Sequence, residues 1–202
     1  MNEFIHFAQP WWVNLFILVP FVAYSLWRKK GLAISVRTLA VAACFGIAFG
    51  FVEAAVVVYL RAAVGLLPGY GGTLSDVARL SADLYQNAQL LGELPKSLFV
   101  VEALREGATM VMLLSVALLA SESLRERCAV FLWIFASWDI FYYAGLWLTV
   151  RWPASLLTPD VLFLIPVPWV AQLWFPLLVS ALTMAAVVSA RRSGGIRKGD
   201  VF

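Results

Sequence analysis

Six ionisable side chains, Glu53, Arg61, Glu102, Arg105, Glu106 and Asp139, interrupt stretches of this chain that are otherwise apolar enough to cross a lipid bilayer. A charge at the bilayer centre costs roughly 2.5 to 3.5 kcal/mol on insertion scales, so intramembrane carboxylates face a bundle interior, pair with one another or serve a ligand. The pattern calls for a helical membrane protein with a buried polar site.

Composition agrees with that constraint. Apolar residues make up 62% and charged residues 13% of the 202 positions, against about half and about a quarter in soluble domains. The length allows several spans of about 20 residues and leaves little for a separate soluble domain, so a single integral membrane domain is expected. The net charge of +3 gives no case for nucleic acid, because most Lys and Arg cluster beside apolar runs, where the positive-inside rule accounts for them. Cys44 and Cys128 fall near expected cytoplasmic span ends with no metal-ligand spacing, which argues against a disulfide framework. Met1 to Gln9 carries Glu3 and no Lys or Arg; it lacks the positive n-region of a cleaved signal, and the first span is expected to be retained.

Five apolar runs approach bilayer length: Trp11 to Trp27, Thr38 to Leu60, Leu98 to Ala120, Cys128 to Val150 and Trp169 to Ala190. The first is short and holds Pro20, with Trp11, Trp12 and Trp27 as interfacial anchors at its ends. One side of the resulting topology receives Arg28, Lys29, Lys30, Arg37, Arg125, Arg127, Arg191, Arg192, Arg197 and Lys198, and the other receives Arg79, Lys96 and Arg151. Ten against three places the N-terminus outside and the C-terminus in the cytoplasm, as in a bacterial-type inner membrane.

Two external connections carry their own signals. Gly65 to Gly72 holds four glycines and a proline and is expected to be a hinge. Beyond it, Thr73 and Asp76 resemble a capping box, and an amphipathic helix is expected over about 74–91 on the outer surface. The segment 151–168 is apolar but broken by Pro153, Pro159, Pro166 and Pro168. It is expected to form a cap over the bundle, with Thr158, Pro159 and Asp160 opening a short helix.

Depth and helical phase gather the charges. At about 1.5 Å of rise per residue, Glu53 and Arg105 lie about 10 Å, and Glu106 and Tyr142 about 12 Å, below the outer boundary of their helices. Glu102 is higher, at about 6 Å, Asp139 is deeper, at about 16 Å, and Arg61 lies at the boundary. Glu102, Arg105, Glu106 and Thr109 follow one another in steps of three and four and share a face. Gly46, Gly50 and Glu53 form a second stripe that permits close approach of a neighbour. Ala136, Asp139, Tyr142 and Tyr143 form a third, whose phenols are placed to donate hydrogen bonds to carboxylates.

Four carboxylates against two arginines leave two negative charges in excess. In a low dielectric these must be protonated or matched by a cation. The competing architectural explanation is that Glu53 or Glu106 with Arg105 merely latches helices together. A metal site would draw on Glu53, Glu102, Glu106 and Asp139, an all-oxygen set suited to a hard divalent cation. The Glu-x-x-His pairs of ferritin-like di-iron proteins are absent, and the single histidine, His6, excludes bis-histidine haem ligation within the chain. Nucleophile–histidine pairs, phosphate-binding glycine loops and metalloprotease motifs are also missing. A carboxylate acid/base pair acting on an outer-leaflet substrate remains as the enzymatic alternative, with no catalytic residue assigned. The aromatic residues Trp133, Trp138, Tyr142, Tyr143 and Trp147 suit either a ligand wall or an interfacial belt with core packing.

The sequence therefore leads to an all-α bundle of five transmembrane helices whose cavity, in the outer half of the bilayer, is built by Glu53, Glu102, Arg105, Glu106, Asp139 and Tyr142, flanked by Arg61, Thr109 and Tyr143. Its expected role is to bind a cation or small ligand, as a transport module or, alternatively, within an accessory subunit of a larger membrane complex. The expected partners are the bilayer itself and other membrane proteins or further copies of the chain. No organic cofactor is expected.

Overall fold

A backbone in lipid must satisfy its own N–H and C=O groups, so bilayer-length apolar runs become helices. The chain is mostly helical. A 3-10 segment, Trp11–Leu18, continues as α1, Val19–Trp27, and is followed by α2, Val36–Ala63. After these come α3, Lys96–Ala120, and α4, Leu124–Val150. Two short strands, β1, Pro159–Phe163, and β2, Trp169–Gln172, precede α5, Trp174–Ile196. The computed structural model describes residues 7–63 and 96–196. The expected hinge at 65–72 and the amphipathic helix at 74–91 lie outside the described residues, as does the side chain of Arg61. Among the described residues, four helices, α2, α3, α4 and α5, are long and apolar enough to cross a membrane, and Trp11–Trp27 is a shorter apolar helix.

The centre of the bundle is α4, whose span is 56% buried, whereas α3, at its edge, is only 17% buried. Small residues set the closest contact, between α2 and α4. A Cβ on Gly46 would lie 2.8 Å from the Ile134 carbonyl oxygen, and one on Gly50 would lie 2.6 Å from that of Trp138. Only hydrogen at these two positions lets the backbones approach so closely. One turn further along, Ala54 is fully buried beside Gly145. The main apolar core joins Trp27, Leu39, Leu113, Ile134 and Val187 from all five helices. Hydroxyl caps start two of the helices: Ser35 Oγ accepts from the Thr38 N–H at 2.9 Å, and Ser123 Oγ from the Glu126 N–H at 3.2 Å.

The opening 3-10 segment has a physical cause in Pro20, which has no N–H to give to a preceding carbonyl and sits in the first turn of α1. At its start, Gln9 and Val170 exchange two backbone hydrogen bonds of 2.8 Å. At the far end of α1 the Leu32 N–H donates to the Ala190 carbonyl at 3.3 Å, and Arg191 Nε donates to the Ile34 carbonyl at 2.9 Å. Between those pins α1 packs along α5.

The cap differs from its expected form. Instead of a helix beginning at Pro159, residues Pro159–Phe163 pair antiparallel with Trp169–Gln172, with Asp160 opposite Ala171 and Val161 opposite Val170. The fifth apolar run correspondingly begins as β2, and its helix starts only at Trp174. Proline is tolerated at the first position of a strand, and the β-formers Val161, Leu162 and Phe163 outweigh the local capping signal. Thr158 spends its hydroxyl backwards, accepting from the Ser155 N–H at 3.1 Å, rather than capping a helix.

Candidate functional site

The α2–α4 contact carries Glu53 into the bundle. Gly46 and Gly50 press α2 onto α4, and Glu53, on the next turn, is 6% exposed. The edge helix α3 approaches from the other side with Glu102, Arg105, Glu106 and Thr109 on one face. Arg105 is the hub of these residues. Its Nε donates to Glu102 Oε2 at 3.0 Å and its second terminal nitrogen to Glu102 Oε1 at 2.5 Å, a bidentate fork within one helix. Its first terminal nitrogen forms an ion pair with Glu53 Oε2 across the helix interface. The remaining Glu53 oxygen accepts from Thr109 Oγ1 at 3.0 Å, so α3 holds this carboxylate at two points a turn apart.

Glu106, one position after Arg105, turns towards the cap. Its Oε2 accepts from the Leu164 N–H at 2.8 Å, and the Ile165 N–H also reaches it. The carboxylate thus fixes the turn between β1 and β2 onto α3. Arg105 acts on Glu106 electrostatically, and Tyr142 of α4 acts likewise on the guanidinium. Three carboxylates therefore surround one guanidinium, with backbone amides and a hydroxyl supplying the other donors.

Asp139 does not join this group. Although 8% exposed, it faces α5, where its Oδ2 accepts from Ser180 Oγ at 2.8 Å. Tyr143 likewise donates not to Asp139 but to Oδ2 of Asp160 on β1, at 3.0 Å. Asp139 and Asp160 sense each other's charge, so a second polar group links α4, α5 and β1. Tyr142 lies between the two groups, edge-on to Tyr143 at 4.9 Å and stacked on Trp138 at 6.2 Å. A metal site formed jointly by Glu53, Glu102, Glu106 and Asp139 is not assembled. Among the described residues, no three His, Cys, Asp or Glu side chains gather to hold an ion.

Ser180 is missing from the residues singled out by the sequence, and Asp160 enters there only as the acid of an expected helix start. Asp160 looks like a first-turn acid after Pro159, and only strand pairing turns it inward to 6% exposure. Ser180 looks like any serine in an apolar helix, where the hydroxyl bonds back to its own backbone; here it serves a neighbouring helix instead. Asn14 bonds both ways with the Ala8 backbone, at 2.9 and 2.8 Å, and the Gln172 side-chain oxygen accepts from Trp174 Nε1 at 2.8 Å.

The chain matches no family model, no curated protein and no solved structure.

Proposed function

We propose that the chain is an integral protein of a bacterial-type inner membrane, with five crossings, the N-terminus outside and the C-terminus cytoplasmic. The compound helix Trp11–Trp27 is the crossing that needs support. With a rise of about 2.0 Å per residue in its 3-10 part and about 1.5 Å in its α part, it spans about 30 Å, the thickness of the hydrocarbon core. The backbone hydrogen bonds at its two ends, to Val170 before α5 and to Ala190 near the end of α5, support the same reading.

Within that bundle the Glu53–Glu102–Arg105–Glu106 group is a cation-binding site in the outer half of the bilayer, serving as part of a transport module. The observation that carries this reading is the imbalance at Arg105: among the described residues, one guanidinium serves Glu53 and Glu102, while the hydrogen bonds of Glu106 come from neutral backbone donors. Excess carboxylate in a low-dielectric site is neutralised by a proton or another cation. The test is cation and proton uptake by the purified protein in nanodiscs, compared with Glu106→Gln. The expected result is uptake by the wild type and its loss in a variant that keeps its helical content. Equal uptake by both would exclude Glu106 from the site.

A structural reading has one observation in its favour. The edge helix α3 touches α2 sparsely, and among the described residues the Glu53 contacts of Arg105 and Thr109 are the polar link between the two. If that link is the whole purpose of the charges, every neutralising substitution loosens α3 and none alters uptake at constant fold.

A further inference from the structure

At the end of the bundle opposite the hairpin, two loops nearly a hundred residues apart meet in an open groove of about 460 Å³, lined by Leu26, Lys29, Lys30, Ser123 and Arg125. Three of the five lining residues are cationic and none is acidic. The neighbouring carboxylate, Glu126, acts on Arg125 electrostatically but spends its oxygens elsewhere. Its Oε1 accepts from the Ala33 N–H at 3.1 Å and its Oε2 from Ser121 Oγ at 2.7 Å. These bonds tie the loop after α1 to the start of α4 and so build the walls of the groove. Arg125 Nε is buried and, among the described residues, has no hydrogen-bond partner.

We propose that this groove binds a phosphate group, presented by the headgroup of an anionic lipid or by a phosphate-bearing solute. A guanidinium N–H buried without an acceptor among the described residues calls for one, and guanidinium beside ammonium is a donor set that phosphate oxygens take. The positive-inside rule explains why cations lie at this end of the bundle. It does not require two distant loops to converge on one groove lined by three cations and no acid. Leu26, 70% exposed at the rim, continues the wall into the apolar helix surface, where an acyl chain would lie. Basic pockets between transmembrane helices at this membrane surface suit such headgroups.

The test uses the full chain in nanodiscs of phosphatidylcholine and phosphatidylglycerol, with retained lipids counted by native mass spectrometry after gentle release. The expected result is stoichiometric retention of phosphatidylglycerol over phosphatidylcholine. Retention falls roughly fivefold in Lys30→Gln and roughly 25-fold in Lys30→Gln with Arg125→Gln. Lys30→Gln changes one exposed side chain, and its loss of retention on its own covers the case in which Arg125→Gln does not fold. Inorganic phosphate is the second arm. Displacement of the retained lipid by phosphate, with saturable phosphate binding, assigns the site to a soluble phosphate, and failure to displace assigns it to the headgroup. Equal retention of both lipids with no saturable phosphate binding overturns the proposal. An equal loss in Arg28→Gln, whose side chain does not line the groove, also overturns it, because the effect would then be general surface charge.

Discussion

Arg105 of α3 reaches Glu53 of α2 across the helix interface while its other nitrogens fork onto Glu102 one turn earlier in its own helix. A single guanidinium thus joins an edge helix to the core and screens two carboxylates. Removing it is expected to do more harm than removing either acid. Arg105→Leu leaves Glu53 and Glu102 without their counter-ion and should destabilise the bundle by about 3 kcal/mol, the range for breaking a buried pair from one side. Adding Glu53→Gln to that variant should recover part of the loss. The check is a double-mutant cycle on unfolding in mild detergent; additive losses would mean that the pair does not interact.

The glycine contact gives a prediction with its own control. Gly50→Ala places a Cβ 2.6 Å from the Trp138 carbonyl oxygen and 2.9 Å from the Tyr142 nitrogen, both backbone atoms that cannot swing aside. The helices must separate, at an expected cost of about 1–3 kcal/mol, and Glu53 moves with α2. Gly107→Ala, on α3, meets nothing within 4 Å and should be neutral or stabilising by up to about 1 kcal/mol, since alanine is the better helix former. Thermal unfolding of the two variants side by side distinguishes a packing effect from a propensity effect.

These two relationships were largely legible in the sequence, because both follow from helical periodicity. Steps of three and four put Glu102, Arg105, Glu106 and Thr109 on one face, and Gly46 and Gly50 announced a close helix contact without naming the partner helix. Periodicity says nothing about which neighbour a face meets, and there the reading fell short. Asp139 shares a helix face with Tyr142 yet turns to Ser180 on α5. The stretch after α4 was harder still. Its local signals, Thr158 and Pro159 before Asp160, favour a helix start, but the strand is decided by β2, about ten residues away, together with Gln9 from the other end of the chain.

The second polar group can be probed through its hydroxyls. Ser180→Ala removes the donor to Asp139 and should cost about 1–2 kcal/mol, as for a hydrogen bond between membrane helices. Ser180→Thr keeps an oxygen in place and should cost less. Tyr143→Phe withdraws a donor from Asp160 and should loosen β1 from α4. Hydrogen exchange at the amides of Val161 and Phe163 reports that loosening directly; protection unchanged from wild type would show that strand pairing alone holds β1.

The Glu106 contact predicts a coupling between α3 and the cap. Its carboxylate takes the Leu164 N–H, so Glu106→Ala leaves a backbone donor in the turn without its acceptor, at about 1–3 kcal/mol. Glu106→Gln keeps a side-chain carbonyl for the same amide and should hold the turn while changing the charge. A spin label at Val167, 43% exposed in that turn, should gain mobility in the alanine variant and not in the glutamine variant. This pair separates the cap-fastening role of Glu106 from any role in cation uptake.

The direction of the opening helix is the remaining test of topology. Gln9 is bonded to Val170 at the hairpin end, and Leu32 to Ala190 near the end of α5, so the two ends of Trp11–Trp27 should lie on opposite sides of the bilayer. With Cys44 and Cys128 replaced by serine, Gln9→Cys should react with a membrane-impermeant thiol reagent in intact cells. Lys30→Cys should react only after permeabilisation. Both side chains are exposed on the described surface, so a lack of reaction in intact cells reports the side of the membrane rather than burial. Labelling of both from outside would mean that the segment re-enters on the face it came from. The chain would then cross four times, and because the later loops alternate sides, all ten basic residues counted as cytoplasmic for five spans would lie outside and only Arg79, Lys96 and Arg151 inside, against the positive-inside rule.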